Sequence, residues 1–245
     1  ITGGSGTIGF AIAKAFSKLG AQTILVDKDE IALKESVAKL GVGHKYFPID
    51  VTHSDAANQA MLAAINNFGG LDILISNAGA AHAGPMLGIS NEELRNAFEL
   101  NFFSHYSFST EAAKILKDQN RGGQILFNIS KQAVNPGKNF GAYGLPKATT
   151  FFLMRQLALE LGSDGIRVNG INADRIRSGL LTDDFISSRA KSRGVSESEY
   201  MAGNLLNKEV TAEHVADAFT ALAYAESTTG HVMTVDGGNI EASLR

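Results

Sequence analysis

The stretch ITGGSGTIGF, residues 1–10, decides the fold, because it holds four glycines within ten residues. Gly4, Gly6 and Gly9 match the loop pattern G-x-G-x-x-G, while Gly3 and Gly9 also match the longer pattern T-G-x-x-x-x-x-G. Glycine at a strand-to-helix turn lets backbone N–H groups and the helix N-terminus approach a pyrophosphate, since no Cβ blocks the way. The stretch therefore predicts a turn that binds a nucleotide cofactor, in one of two registers.

Short apolar segments rich in β-branched residues alternate with longer helical stretches along the rest of the chain. Strands are predicted at 23–27, 45–50, 71–76, 123–130, 166–172 and 231–237, and helices at 9–19, 29–39, 54–67, 91–118, 146–161 and 212–225. Strands that are apolar on both faces are typical of a parallel sheet with helices on both sides. The alternation predicts one α/β domain over residues 1–245, a doubly wound, Rossmann-like parallel sheet. The irregular stretch at about 179–210 predicts a folded insertion, a lid.

The position of the glycine loop at the start of the chain has its own consequence. A phosphate-binding turn needs a strand in front of it, and almost no sequence precedes Gly3. We therefore expect the first strand of the sheet to lie mostly upstream of Ile1, in a longer protein.

Composition excludes several classes of function. The 245 residues are 44% hydrophobic and 19% charged, with a net charge of −3 and no cluster of basic residues, so nucleic acid is not an expected partner. The absence of cysteine excludes disulfides and a Cys nucleophile. No apolar run approaches the roughly 20 residues of a membrane span. The histidines are scattered without metal-ligand spacing, and only His82 is expected near the pocket. A cytoplasmic enzyme without a metal or membrane partner is expected.

The strand TILV ends at Asp27, eighteen residues after Gly9. An acid at this place accepts both hydroxyls of an adenosine ribose and repels a 2′-phosphate, which favours NAD over NADP. Lys28 leaves some room for NADP, and Asp27 could instead be a turn residue. Asp50 and Val51 end the next strand, where the adenine would lie.

The segment YGLPK, residues 143–147, follows Ser130 by thirteen positions. Tyr143 and Lys147 are four apart and share one face of a helix, which Pro146 places at its first turn. A nearby Lys⁺ and the positive nicotinamide would lower the tyrosine pKa from about 10, so that Tyr143 carries a proton at neutral pH. Ser130 can hydrogen-bond the substrate oxygen. The alternative for this pair is an amphipathic surface pair.

Together with Asn77-Ala78-Gly79 and the glycine loop, these residues make the chain resemble the short-chain dehydrogenase/reductase family. The resemblance implies hydride transfer between NAD(P) and an alcohol or carbonyl carbon. It also implies that Tyr143 is the acid/base, that Lys147 tunes it and holds the nicotinamide ribose, that Ser130 donates to the substrate oxygen, and that Asn101 supports a water-linked proton relay. The cofactor residues implied are Gly3, Gly6, Thr7, Ile8, Gly9, Asp27, Asp50, Val51, Asn77, Ala78, Gly79, Tyr143, Lys147 and Ala173. The family's usual dimer contact implies a homo-oligomer.

Three stretches suggest a narrower group within that family. FNISKQAVNPGKNFGAYGLPKA (127–148), NADRIRSGLL (172–181) and YMAGNLL (200–206) closely resemble the dehydrogenase half of bacterial fusion proteins whose first half is a class II aldolase. Such fusions are associated with rhamnulose-1-phosphate cleavage, which implies lactaldehyde or a related small polar substrate and an upstream aldolase domain. The alternatives are a stand-alone polyol or sugar-alcohol dehydrogenase and a non-catalytic NAD-binding module for assembly or sensing.

The chain departs from the family at two points of the cofactor site. Thr7 stands where most relatives have Gly or Ala, which adds a side chain near the expected pyrophosphate path. Ala173-Asp174 stands where relatives have Pro-Gly, at the corner that contacts the nicotinamide carboxamide and begins the lid.

Four charged or polar residues are candidates for contact with the substrate. Arg175 and Arg177 could clamp an anionic group of the substrate, or could pair with Asp174, Asp183 or Asp184 at the base of the lid. Lys131 and Gln132 follow Ser130 at a strand end, where doubly wound folds bind ligands, but could equally be solvated loop residues.

Overall fold

The computed structural model describes residues 1–81 and 83–239, so that His82 lies outside the described residues. The strands are β1 (Ile24–Asp27), β2 (Lys45–Pro48), β3 (Ile73–Ser76), β4 (Gly123–Asn128), β5 (Ile166–Ala173) and β6 (Val232–Val235). The helices are α1 (Thr7–Lys18), α2 (Glu30–Leu40), α3 (Ala56–Phe68), α4 (Asn91–Phe98), α5 (Ser104–Gln119), α6 (Gly141–Leu161), α7 (Asp183–Arg193), α8 (Glu197–Met201) and α9 (Ala212–Tyr224). The predicted β-α alternation is confirmed.

All strand pairs are parallel, and residues 1–2 join two groups of strands into one sheet. β1 pairs with β2, and β3, β4, β5 and β6 pair in that order. Thr2 bridges to Val26 of β1, while its N–H donates to the carbonyl of Ile75 in β3 at 3.0 Å. Thr2 therefore occupies the central position of the sheet, directly before the glycine loop.

Helices cover both faces of the sheet, as the apolar strands predict. Along β4, Ile125 and Phe127 pack into a core with α3, α5 and α6, whereas Leu126 between them packs into a second core with α1 and α9. Ala13, Leu25 and Leu33 form a smaller cluster among α1, β1 and α2. Alternate side chains of one strand thus serve two cores, which is the physical basis of the doubly wound fold.

Two features of the helices differ from the prediction. The predicted helix 91–118 contains a π-helical turn, Glu99–Phe103, between α4 and α5. The predicted start of α6 at Pro146 is wrong, because α6 begins at Gly141. The carbonyl of Phe140 accepts hydrogen bonds from Tyr143 and Gly144 at 3.1 and 2.7 Å, which starts the helix a full turn earlier. Pro146 then removes a single helical hydrogen bond near the N-terminus.

The predicted insertion at 179–210 is folded. It contains α7 and α8, and Leu181, Ile186, Ala190, Tyr200 and Met201 form a separate hydrophobic cluster between them. No helix among the described residues has the length and apolar character needed to span a lipid bilayer.

Candidate active site

A cavity of about 850 Å³ opens at the carboxyl ends of the strands, beneath the insertion. Every residue predicted to bind the cofactor lines this cavity, from Gly3 in the glycine loop to Ala173 at the end of β5. Ser130, Lys131, Gln132 and Arg175 also line it. Within the described residues, no group of His, Cys, Asp or Glu side chains could hold a metal ion.

The glycine loop adopts the T-G-x-x-x-x-x-G register. A Cβ on Gly9 would lie 2.1 Å from the carbonyl oxygen of Gly3, and Gly3 itself has a positive φ of 62°. Gly4 is required for a different reason, because its Cβ would lie 2.8 Å from Cβ of Leu25 in β1. At Gly6 the nearest atom would be 3.4 Å away, an ordinary contact. Gly3 and Gly9 therefore define the turn, and the G-x-G-x-x-G match is partly coincidental.

Asn77 connects the glycine loop to the ends of β3 and β4 through hydrogen bonds. Its side-chain amide donates to the carbonyls of Thr2 and Gly3 at 3.0 and 3.3 Å, and its Oδ1 accepts from Asn128 at 2.8 Å. The Thr2 hydroxyl accepts from the N–H groups of Asn77 and Ala78. The Asn-Ala-Gly motif thus holds the shape of the loop as well as lining the cavity. Asn128 is a site residue that the sequence did not indicate.

Asp27 lies at the far end of the cavity with its carboxylate partly satisfied. The Ser5 hydroxyl donates to Oδ2 at 2.7 Å, while Oδ1 accepts from the N–H of Lys28 at 2.8 Å. Each carboxylate oxygen has two lone pairs, so capacity remains for further donors. Ser5, which the sequence analysis did not single out, orients this carboxylate.

Asp50 and Val51 form the neighbouring wall of the cavity. The Thr52 hydroxyl and N–H donate to Oδ1 of Asp50 at 2.7 and 2.9 Å, and these hydrogen bonds hold the pKa of Asp50 below its usual value. Val51 is buried. This wall therefore combines a fixed carboxylate with an apolar surface.

Thr7, the anomaly in the glycine loop, is the first residue of α1 and is exposed to the cavity. Its N–H is one of the free donors at the helix N-terminus, and its hydroxyl adds another donor at the same place. The bare Cα atoms of Gly3 and Gly9, the N-terminus of α1 and the Asp27 carboxylate fit the pyrophosphate and ribose of a dinucleotide.

Ser130 and Tyr143 face the cavity from the end of β4 and the first turn of α6. The expected lowering of the Tyr143 pKa includes the charge of a bound nicotinamide. Without a cofactor, burial raises the pKa of Tyr143 to about 12, and a hydrogen bond with Ser130 acts in the opposite direction. Burial prevails because the phenolate loses its hydration. At neutral pH the phenol is therefore protonated and can donate a proton.

Lys147 lies buried beside Tyr143, with Nζ 5.8 Å from the centre of the tyrosine ring. Its Nζ donates to the carbonyl of Asn128 at 3.0 Å and lies 3.3 Å from Nε2 of His105. Burial lowers the pKa of Lys147 to about 7. The protonation of Lys147 is therefore sensitive to its few neighbours.

His105 is buried between Lys147 and Ser76. Its Nδ1 lies 2.6 Å from the Ser76 hydroxyl, and burial together with the charge of Lys147 holds the pKa of His105 well below its usual range. The imidazole is therefore neutral and can accept a hydrogen bond from the lysine ammonium. The prediction that only His82 among the histidines lies near the pocket is wrong for His105, because His105 contacts Lys147, which lines the cavity.

Asn101 is buried in the π-helical turn, beneath the cavity wall. Its amide nitrogen donates to the carbonyls of Ala80 and Ala97 at 2.9 and 3.1 Å, and its backbone carbonyl accepts from the Thr150 hydroxyl at 2.7 Å. A Cβ on Gly79 would lie 2.8 Å from Oδ1 of Asn101. Gly79 therefore allows the Asn-Ala-Gly motif to approach Asn101 closely.

The four predicted substrate residues are mostly engaged in structural contacts. Lys131 lines the cavity with Nζ 3.4 Å from Asp174, and the Gln132 side chain accepts from the N–H of Gly137 at 2.7 Å. Arg177 does not line the cavity. Its Nε and Nη1 contact Glu209 and Asp183, each at 2.7 Å. These contacts favour the structural alternative for Arg177.

Arg175, in the turn after β5, forms hydrogen bonds with the insertion. Its Nη1 donates to the carbonyl of Tyr200 at 2.7 Å, and its Nε lies 3.5 Å from Asp174. The φ of Arg175 is 53°, in the left-handed region that favours glycine. The left-handed conformation of Arg175 costs about 1–2 kcal/mol. Its contacts with Tyr200 and Asp174 offset this cost and stabilise the turn that lacks Pro-Gly.

Arg189 and Arg193, which were not among the predicted site residues, line the cavity from α7. They lie one helical turn apart in a charged part of the insertion, and this spacing was the available signal.

Comparison with known proteins identifies the family. A family profile described as "Enoyl-(Acyl carrier protein) reductase" matches residues 4–239. "Uncharacterized oxidoreductase YuxG" from Bacillus subtilis (strain 168) is 33% identical over 251 residues. That match covers 97% of this chain but only 36% of the relative, so the chain spans little more than a third of its length.

Two solved structures are similar over almost the whole chain. A 3-ketoacyl-(acyl-carrier-protein) reductase from Brucella melitensis, complexed with NADH, has a TM-score of 0.86 and 25% identity, covering 97% of this chain and 96% of its own. L-Sorbose reductase from Gluconobacter frateurii, complexed with NADPH and L-sorbose, has a TM-score of 0.88 and 28% identity, with coverages of 97% and 94%. The chain therefore belongs to the short-chain dehydrogenase/reductase family and is an oxidoreductase that acts on alcohol and carbonyl groups.

Proposed function

We propose that this oxidoreductase uses NAD(H) to interconvert a small polar alcohol and its carbonyl form, with lactaldehyde or a related sugar-derived compound as substrate. The observation that carries the proposal is the placement of Ser130 and Tyr143 on one cavity wall with Lys147 buried beside them. This arrangement offers two hydroxyl donors to one substrate oxygen and a cation beside the phenol.

The cofactor would lie along the cavity from the glycine loop to Lys147. The N-terminus of α1 would hold the pyrophosphate, and Asp27 would accept the hydroxyls of the adenosine ribose. A bound nicotinamide supplies or accepts the hydride. The Asp27 carboxylate, which keeps acceptor capacity beside Ser5 and Lys28, supports NAD over NADP because it would repel a 2′-phosphate.

In the direction of carbonyl reduction, Oγ of Ser130 donates a hydrogen bond to the substrate oxygen, and Oη of Tyr143 transfers its proton to that oxygen. The raised pKa of Tyr143 suits this direction, because the phenol is protonated at rest. The ammonium of Lys147 then stabilises the phenolate. We assign Asn101 to the proton relay through its backbone carbonyl, which accepts a hydrogen bond from the Thr150 hydroxyl.

The substrate assignment rests on the three stretches that resemble aldolase-linked dehydrogenases. The B. subtilis relative supports it indirectly, since it carries the matching segment within a much longer protein. An aldolase domain on the same chain would deliver its aldehyde product to this cavity. The similarity to L-sorbose reductase favours a polyol or sugar-alcohol dehydrogenase as the second candidate.

The proposal includes a cytoplasmic homo-oligomer. Phe103 and Tyr106 at the start of the α5 stretch and Phe152 on α6 are 46%, 47% and 68% exposed, respectively. Apolar side chains on two adjacent helices support burial against a second copy of the chain.

The experiment that tests the proposal is a turnover screen of the purified protein with NADH and NAD⁺. Lactaldehyde, polyols, ketoses and sugar phosphates serve as substrates, and NADH binding is followed in parallel by its fluorescence. We expect NADH binding and turnover of lactaldehyde. Turnover of polyols or ketoses alone would favour the second candidate. NADH binding without turnover of any substrate would contradict the proposal and support a non-catalytic module.

A further inference from the structure

Arg189 extends from α7 into the same cavity that Tyr143 lines. Its guanidinium carbon lies 5.7 Å from the ring centre of Phe140 and 5.9 Å from that of Phe185. Phe140 is the residue whose carbonyl accepts the N–H of Tyr143 at 3.1 Å. The Arg189 guanidinium is therefore next to the N-terminus of α6, the helix that carries Tyr143.

The guanidinium of Arg189 has no acidic partner among residues 1–81 and 83–239. Its Nε is buried and makes no hydrogen bond there. Lys131, Arg175 and Arg177 differ, because each contacts a carboxylate. A buried guanidinium N–H without an acceptor is unfavourable, so this position needs an explanation.

The acids that line the cavity do not pair with Arg189 in the described part of the chain. Asp174 contacts Lys131, Arg175 and Asn239, and the other acids on the described cavity wall are Asp27 and Asp50, which lie beside the glycine loop and β2. Nothing described in the protein therefore neutralises Arg189.

Arg193 lies one helical turn after Arg189, on the same face of α7, and also lines the cavity. Its guanidinium carbon lies 5.3 Å from the ring centre of Tyr200. No ion pair links Arg193 to an acid in the described part of the chain. Two guanidinium groups with aromatic contacts thus line one wall of the insertion.

We propose that Arg189, assisted by Arg193, binds an anionic group, a carboxylate or a phosphate, carried by the substrate away from its reacting carbon. Contact of Phe140 and Phe185 with the guanidinium orients it, and its two terminal Nη groups would donate to a bidentate oxyanion in the cavity. The proposal rests on the proposed function and, among its small polar sugar-derived substrates, favours those that carry an anionic group over neutral lactaldehyde.

Direct binding tests the proposal without requiring turnover. The protein with saturating NADH is titrated with malonate, inorganic phosphate and the neutral malonamide by calorimetry. The variants are Arg189→Gln, Arg189→Lys and the control Lys191→Gln. Lys191 lies on α7 two residues from Arg189, is exposed and does not line the cavity. Lys191→Gln therefore removes one positive charge, as Arg189→Gln does, without changing the cavity wall.

We expect one of the two anions, but not malonamide, to bind the wild type, and Arg189→Gln to weaken that binding at least tenfold. Arg189→Lys should retain part of the affinity, and Lys191→Gln should equal the wild type. Preference for malonate or phosphate identifies the oxyanion. Equal binding by wild type and Arg189→Gln, or no binding of either anion, would overturn the proposal.

Two further readouts separate this proposal from its alternatives. NADH affinity should change less than about twofold in Arg189→Gln; a tenfold loss of NADH affinity with unchanged anion binding would assign Arg189 to the cofactor phosphates and overturn the proposal. With glyceraldehyde 3-phosphate and glyceraldehyde as a pair, Arg189→Gln should lower kcat/KM for the phosphorylated member alone. If the wild type binds the anion and Arg189→Gln does not, but the wild type turns over no substrate, the proposed function would be overturned and the anion site would be retained.

Discussion

Nζ of Lys147 lies 3.3 Å from Nε2 of His105, and both side chains are buried. The imidazole is neutral, and in the tautomer that carries its proton on Nδ1 the free Nε2 accepts a hydrogen bond from the ammonium, which favours the protonated lysine. Burial acts in the opposite direction and lowers the pKa of Lys147 to about 7. His105 therefore positions Lys147 and partly restores its charge next to Tyr143.

Replacing His105 with Leu should lower the pKa of Lys147 further, because the ammonium loses an acceptor. A hydrogen bond to a charged group contributes about 1.5–3 kcal/mol, which corresponds to roughly one pKa unit or more. The alkaline limb of the kcat/KM profile for carbonyl reduction should then move about one unit towards lower pH. Ser76→Ala, which keeps Nε2 in place, should produce a smaller shift. If the kcat/KM pH profile of His105→Leu is identical to that of the wild type, His105 does not raise the pKa of Lys147.

Asp27 should determine the choice between NADH and NADPH. The wild type should bind NADH at least about tenfold more tightly than NADPH, since the carboxylate accepts ribose hydroxyls and repels a 2′-phosphate. Asp27→Asn should weaken NADH binding and bring the two affinities together. Fluorescence titration with both cofactors measures this ratio. Ser5→Ala, which removes only the hydroxyl that orients the carboxylate, should have a smaller effect, and a wild type that prefers NADPH would contradict the assignment.

The two glycine patterns of the first loop predict different sensitivities to alanine. Gly9→Ala places a Cβ 2.1 Å from the carbonyl oxygen of Gly3 and should destabilise the protein by about 3 kcal/mol or more. Gly6→Ala, whose Cβ would lie 3.4 Å from the same atom, should change the free energy of unfolding by only about 1 kcal/mol. Urea denaturation of both variants provides the comparison. Equal destabilisation would mean that the loop is in the G-x-G-x-x-G register.

Much of the fold follows from sequence because the strands are short, apolar on both faces and regularly separated by helices. The carboxyl ends of parallel strands meet at one edge of the sheet. The sequence therefore predicts that the glycine loop, Asp27, Asn77 and Ser130 lie close together. Tyr143 and Lys147 followed from helical spacing. These predictions needed only local patterns and one topological rule.

Other features depend on packing between distant segments. Arg189 reaches the cavity because the insertion packs against Phe140, next to the N-terminus of α6, and no local pattern encodes that contact. The pKa of Tyr143 in the protein without a cofactor also depends on a tertiary property, because burial outweighs the nearby hydrogen bond and raises it. The early start of α6 depends on the carbonyl of Phe140, which the position of Pro146 alone does not indicate.

The central claim is that the Tyr143 hydroxyl transfers the proton that accompanies hydride transfer. The direct measurement follows the oxidation of NADH in a single turnover with lactaldehyde, for the wild type and for Tyr143→Phe. The dissociation constant of NADH is determined for both proteins. We predict that Tyr143→Phe slows the chemical step by about 10²–10⁴-fold, the range of general acid–base catalysis, while NADH binding changes by less than about threefold. Wild-type turnover in Tyr143→Phe at unchanged NADH affinity would contradict the account.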